Sequence, residues 1–169
     1  MAVAFETFNQ YAGVAYEGQI EDFSMSDLIT FVVEGAPVPY GRAVIQGTAD
    51  MGGKLPGTAG AFVIGVSVMQ PVAVAGSYLT GSNNTNGNPV GSRPVGQEST
   101  ALAYGRIWVK TVAGSTPGQP VYIVPNTGEF TNAASGNMSF PGATFLRTAA
   151  AGAFTTIQVR GQATATPSV

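Results

Sequence analysis

Few side chains in this 169-residue sequence could carry acid–base or nucleophilic chemistry. Nine residues are acidic and seven are basic, and neither His nor Cys is present. Without His, the sequence lacks the commonest general base and zinc ligand, and a Ser-His-Asp triad cannot form. Without Cys, thiolate nucleophiles and disulfides are excluded. Any chemistry must therefore come from carboxylates, hydroxyls and amides.

The carboxylates do not form a catalytic or metal-binding pattern. Glu21 and Asp22 are adjacent, so on a strand they would point to opposite faces instead of flanking one glycosidic bond. The Asn-rich stretch 83–88 has no acid before Glu98, so it lacks the ligands of a calcium loop. No phosphate-binding glycine motif follows a strand pattern. We therefore expect no enzymatic activity, no metal and no cofactor.

Charge is divided unevenly along the chain. The first 34 residues carry six acids and no base, whereas the remaining 135 carry all seven bases and three acids. A leading segment of −6 followed by a body of +4 favours self-assembly or docking on a partner. Glu34 belongs to a turn motif and is expected to serve the fold. The acids expected to face a neighbouring molecule are Glu6, Glu17, Glu21, Asp22 and Asp27.

The segment 101–112 has the longest strand pattern, and its two faces differ. Its odd positions are small or aliphatic and suit a core. The even positions include residue types enriched at protein interfaces. The alternatives are a sheet face covered by a loop of the same chain, or a base-stacking face, which the scattered bases and the net charge of −2 disfavour. The even positions are Leu102, Tyr104, Arg106, Trp108 and Lys110.

Residues 1–15 are expected to form an N-terminal arm. Phe5, Phe8 and Tyr11 recur at a spacing of three, which suits one helical turn or an extended segment that lays aromatic rings into a groove. Two glycines further along argue against a long helix. The alternative is an N-terminal strand within the sheet.

Short β-prone segments separated by Gly and Pro predict an all-β protein, with a single small β-barrel or sandwich domain over residues 16–162. Residues 80–99 are expected to be an exposed loop, and residues 163–169 a flexible C-terminal tail. In the third predicted strand, the side chains sharing one face are Phe62, Ile64, Val66 and Val68. The main predicted strands are 28–34, 42–46, 61–68, 101–112, 120–125, 143–147 and 153–160.

The tripeptide Tyr-Gly-Arg occurs twice, at residues 40–42 and 104–106. In both places the Gly lies opposite the Tyr and Arg of a predicted strand. A glycine there permits a bulge or the close approach of another backbone. Because of this likeness, Tyr40 and Arg42 are included among the predicted interface residues.

Four segments in a fixed order carry a resemblance that spans residues 15–160. They are Tyr16–Ile20 (Tyr-Glu-Gly-Gln-Ile), Glu34–Val44, Gly105–Val109 and Pro141–Leu146. In this order they make the sequence similar to the small capsid cement, or decoration, proteins of tailed bacteriophages. The loop at 80–99 is longer than the family pattern leads us to expect.

The resemblance implies a β-rich virion protein on the outer surface of the capsid, without catalysis or cofactor. Its partners would be the major capsid protein, which it bridges and stabilises, and copies of itself, with a trimer favoured over a dimer. No nucleic-acid partner is expected, because the seven bases are scattered, and no membrane partner is expected. The alternatives are another virion subunit, from the tail or a fibre, or a stand-alone carbohydrate- or nucleic-acid-binding β module.

The sequence has no feature of a secreted or membrane-spanning protein. Its first residues lack a basic region followed by a long apolar core. No apolar run approaches the ~20 residues that a spanning helix needs. We therefore expect synthesis in the host cytoplasm.

Overall fold

The computed structural model describes residues 15–69 and 91–168, and these residues form twelve β-strands and no helix. This confirms the predicted all-β class. The strands are β1 (Ile20–Val33), β2 (Val38–Pro39), β3 (Ala43–Gln46), β4 (Gly52–Lys54), β5 (Ala61–Ser67), β6 (Ser92–Arg93), β7 (Glu98–Lys110), β8 (Pro120–Ile123), β9 (Phe130–Thr131), β10 (Met138–Phe145), β11 (Phe154–Arg160) and β12 (Ala163–Pro167).

Ten of these strands form one sheet, in the order β11-β7-β1-β4-β3-β5-β12-β10-β8-β9. Two more pairings, β11 with β10 and β7 with β5, join strands that are distant in this order. The sheet therefore folds back on itself as a sandwich-like domain rather than a regular barrel. Strands β2 and β6 form a separate two-stranded sheet.

The folded sheet encloses two hydrophobic clusters. The larger one contains Phe130, Phe145 and Ile157, all with no exposed surface. The smaller one is built around Phe31 and Val44. Each large apolar side chain buried in this way contributes roughly 1.5–3 kcal/mol to folding, so both clusters are needed to hold the sheet closed.

Strand β7 contributes to both clusters because it changes face. Leu102 lies in the larger cluster with Ile107, although the two residues are five positions apart in the sequence, and Ala101 lies in the smaller cluster. A regularly alternating strand would put Leu102 and Ile107 on opposite faces. The change occurs between Leu102 and Tyr104, where the register with β1 also shifts. The prediction that Leu102 shares the outward face was therefore wrong.

Strand β5 also departs from simple alternation. Ile64 lies in the smaller cluster, whereas Val66 and Val68 lie in the larger one. Phe62, predicted to share their face, is 44% exposed. The β3–β5 register shifts at the same level, so the single apolar face predicted for this strand is divided between two cores.

Two segments predicted to be irregular form strands. Residues 163–167, placed in the predicted flexible tail, form β12 and pair with β5 and β10. In the predicted loop 80–99, residues 92–93 form β6 and β7 begins at Glu98; residues 80–90 lie outside the described residues. The alternation of Ala and Thr in β12 supplies the strand pattern, because Ala165 is buried and its Thr neighbours are exposed.

Glu34 stabilises the turn that connects β3 to β4, as predicted for a residue that serves the fold. Its carboxylate accepts hydrogen bonds from the backbone N–H groups of Thr48 and Ala49, at 2.7 and 2.9 Å, and from the Thr48 hydroxyl at 2.9 Å. These bonds favour the charged form and lower the pKa of Glu34. Gly52 leaves room for the carboxylate, since a Cβ there would overlap it.

We predict that this carboxylate makes stability depend on pH. Because folding lowers its pKa, the contribution is present at neutral pH and is lost as the pH falls from about 4.5 through the lowered folded value. Glu34→Gln should therefore be less stable than wild type at pH 7, and the difference should narrow towards pH 3. Urea unfolding at several pH values measures this. Glu98→Gln is the control, and a Glu34→Gln deficit that does not change with pH would contradict the prediction.

Candidate docking surface

The outward side chains of β7 lie next to those of β11 and form one face. Tyr104 and Trp108 are half-buried, and Arg106 and Lys110 are exposed. The two strands pair without interruption, from Phe154 opposite Lys110 to Arg160 opposite Tyr104. We define the β7–β11 face as Tyr104, Arg106, Trp108, Lys110, Gln158 and Arg160.

Trp108 is partly covered by a side chain of the same chain. The Arg147 guanidinium carbon lies 4.9 Å from the centroid of the Trp108 ring. Arg147 also donates from Nε to Thr156 Oγ1 at 2.9 Å and forms an ion pair with Glu21. The sequence left open whether this sheet face binds a partner or is covered by the same chain. For Trp108, part of the ring is covered by the same chain.

Arg42 connects the beginning of the described chain to the turn between β8 and β9. Its guanidinium lies 3.4 Å from the Glu17 carboxylate and 3.0 Å from that of Glu129. The arginine side chain is only 14% exposed, so water screens these contacts less than it screens a surface pair. With Tyr40, Arg42 lines a cleft of about 340 Å³.

The acids of the leading segment have two different environments. Glu17 and Glu21, predicted to face a neighbouring molecule, pair instead with Arg42 and Arg147 of the same chain. Asp22 and Asp27 are exposed. The predicted interface residues Phe5, Glu6, Phe8 and Tyr11 lie outside the described residues.

Between these two exposed aspartates, β1 forms a bulge that sequence reasoning missed. Asp22 pairs with Arg106 and Asp27 with Tyr104, so β1 advances five residues while β7 advances two. We define the β1 bulge as residues 22–27. Asp22 Oδ1 accepts hydrogen bonds from the Ser24 hydroxyl at 2.6 Å and the Ser24 N–H at 2.9 Å, which lower the pKa of Asp22.

The bulge presents apolar side chains to solvent. Phe23 is 74% exposed and Met25 is 68% exposed. Leu28, just after the bulge, is 44% exposed. The signal in the sequence is an apolar residue at every second position within a run of Asp and Ser, a pattern that would suggest a strand with one face in the core.

The two Tyr-Gly-Arg glycines allow close backbone contacts, as predicted. Gly105 has φ +133°, and a Cβ there would lie 3.2 Å from the Met25 carbonyl oxygen and 3.3 Å from Ser26 Cα. Gly41 has φ +69°, and a Cβ there would lie 2.8 Å from the Gly18 nitrogen. Both glycines therefore seat the leading segment against the body, and Gly105 lies directly beneath the β1 bulge.

Within residues 15–69 and 91–168, no group of three or more acidic residues could hold a metal ion. The same part of the chain contains no helix that is long and apolar enough to cross a membrane.

Comparison with known proteins identifies one family. The model of the structural cement protein family (E217 gp24/Pam3 gp6) matches residues 5–160. A solved structure described as the capsid of Myoviridae phage XM1 contains a chain of similar fold, with a TM-score of 0.64 and 18% sequence identity. The match covers 94% of this chain and 98% of that one. A search of curated protein sequences gives no match.

We predict that Gly105→Ala destabilises the protein by about 1–3 kcal/mol, because alanine is strained at this φ and its methyl group would press on the bulge backbone. Thermal or urea unfolding measures the change. Gly57→Ala is the matched control, since nothing lies within 4 Å of a Cβ at Gly57. Equal stability of the two variants would contradict the role assigned to Gly105.

We predict that Arg147→Ala uncovers the ring of Trp108, the single tryptophan of the sequence. Its fluorescence should shift to longer wavelength and become more sensitive to acrylamide. The loss of stability should be about 1 kcal/mol or less, because the Arg147 side chain is 54% exposed. Arg160→Ala should leave the fluorescence unchanged. An unchanged spectrum in Arg147→Ala would contradict the stacking.

Proposed function

Because the chain belongs to the family of structural cement proteins of phage capsids, we propose that it binds the outer surface of the head and bridges neighbouring major capsid proteins. The observation that carries this proposal is the family match, which extends over residues 5–160. The chain is therefore a structural component of the virion.

The physical task of such a subunit explains its composition. A packaged genome pushes the shell outward, and a cement subunit resists by adding contact area across the seams between capsid proteins. Each contact can be weak, because many copies act together and the shell fixes their geometry. Only 9% of the residues are charged, against roughly 25% in an average globular protein, which fits a surface that is largely covered in an assembly.

We further propose that the protein acts as a homo-oligomer, a trimer in preference to a dimer, at a local symmetry axis of the shell. Residues 1–15 would extend from the body as an arm. An extended segment with Phe5, Phe8 and Tyr11 can add to the edge of a neighbour's sheet, where backbone hydrogen bonds supply affinity and the aromatic rings fill pockets.

The alternative of a carbohydrate- or nucleic-acid-binding module loses its main support. Such a module would need Trp108 as an open stacking platform. The guanidinium of Arg147 already occupies this position over the ring. No observation favours a tail or fibre subunit over a capsid subunit.

We predict that the purified protein binds expanded capsids that lack it, and that the fragment 16–169 folds but binds at least about tenfold more weakly. Co-sedimentation and electron microscopy of the particles measure binding and location, and circular dichroism verifies that the fragment folds. Absence of wild-type binding, or a location on the tail, would refute the proposed function. Unchanged affinity of the fragment would refute only the role of the arm.

A further inference from the structure

The β1 bulge is the most prominent apolar feature of the surface described for this chain. Phe23 and Met25 have the largest exposed fractions among the large apolar side chains of the described residues. Exposed apolar groups of this size, held together on one element, are typical of contact sites rather than of free surface. Aromatic side chains are also among the residues that contribute most to binding energy at interfaces.

The bulge is held in a defined shape before any partner binds. The two hydrogen bonds from Ser24 to the Asp22 carboxylate fix its first turn. The Ser26 hydroxyl donates to the Phe23 carbonyl oxygen at 3.3 Å. Gly105 allows the underside of the bulge to contact β7 closely. Because its shape is already fixed, the β1 bulge loses less conformational entropy on binding than a flexible loop would.

The charged residues around the β1 bulge indicate the chemistry of its partner. Asp22 and Asp27 flank the exposed apolar side chains and are themselves exposed. Arg106 of β7 is the register partner of Asp22 and lines the same cleft, so Asp27 carries most of the negative charge that a partner would meet. A complementary surface is therefore an apolar socket with a cationic rim, in which the carboxylates meet basic groups while the Phe23 ring is buried.

A second copy of this chain offers a poor socket in the clefts that the structure describes. The two clefts beside the bulge contain Asp22 with Arg106, and Glu21 with Arg106 and Arg147. The cleft at Tyr40 contains Glu17 with Arg42. These arginines already face acids of their own subunit, because Arg147 pairs with Glu21, Arg42 pairs with Glu17, and Arg106 is the register partner of Asp22. Little cationic charge is therefore left in these clefts for the carboxylates of a second copy.

We propose that the β1 bulge docks into an apolar, cation-rimmed socket on the major capsid protein, with Phe23 and Met25 as the buried contacts and Asp22 and Asp27 at the rim. This inference rests on the proposed function, because it assumes that the capsid is the partner. Beyond the proposed function, it specifies which side of the subunit faces the shell.

The test measures binding to capsids that lack the protein, with the double variant Phe23→Ser/Met25→Ser. Its affinity should fall by about 30-fold or more, as expected when central interface contacts are removed. Phe62→Ser is the matched control, since Phe62 is also exposed, at 44%, but lies on β5, away from the bulge and from the β7–β11 face. It should change the affinity by less than about twofold. Thermal unfolding verifies that all variants are folded.

Charge is tested with Asp27→Lys, which should weaken binding at low salt by about fivefold or more, and with Asp50→Lys as an exposed control that should have little effect. Stronger binding of Asp27→Lys would overturn the cationic rim.

The outcomes separate this inference from the proposed function. Failure of the wild-type protein to bind capsids would refute the proposed function itself. Wild-type binding that the double variant retains would overturn only the docking role of the bulge. If light scattering shows that the double variant loses self-association while each subunit still binds capsids as tightly, the occupant is a second copy and the proposal is wrong.

Discussion

The structure depends on one constraint: strand β7 must serve both hydrophobic clusters while it pairs with three neighbours. Its first half pairs with β1 and β5, and its second half pairs with β1 and β11. The side chains can reach both clusters only because the strand changes face between Leu102 and Tyr104. The register with β1 shifts at the same level, with the extra residue in β7. In the adjoining segment, between Tyr104 and Arg106, the register shifts again, and there the extra residues lie in β1 and form the bulge. The exposed side chains of Phe23 and Met25 therefore lie next to the position where β7 changes face.

Two of the three ion pairs within residues 15–69 and 91–168 attach the leading segment to the body. Arg42 and Arg147 each bind an acid from the first 21 residues, and Arg147 also covers Trp108. The net charge of −6 on the leading segment and that of +4 on the body therefore partly neutralise each other within one subunit. The docking surface that remains is mainly apolar, with Asp22 and Asp27 at its margin.

The sequence was sufficient for the fold class and for the family, but not for the site. Local patterns predicted the β11 strand and the close contact at Gly105, because turn residues and alternation are local properties. The burial of Leu102 and the bulge at Phe23 could not be predicted, since they accompany two register shifts between strands that are far apart in sequence. Strand β12 was mistaken for a flexible tail. Its short Thr and Ala side chains are held in place by two partner strands that are distant in sequence.

We propose that the side of the subunit carrying the β1 bulge faces the shell. A cryo-electron microscopy map of capsids reconstituted with this protein, at a resolution that shows side chains, tests it most directly. We expect continuous density between residues 22–27 and the major capsid protein, with the Phe23 ring in an apolar pocket beside basic side chains. A map in which the subunit is bound to the capsid with the bulge pointing into solvent would contradict it.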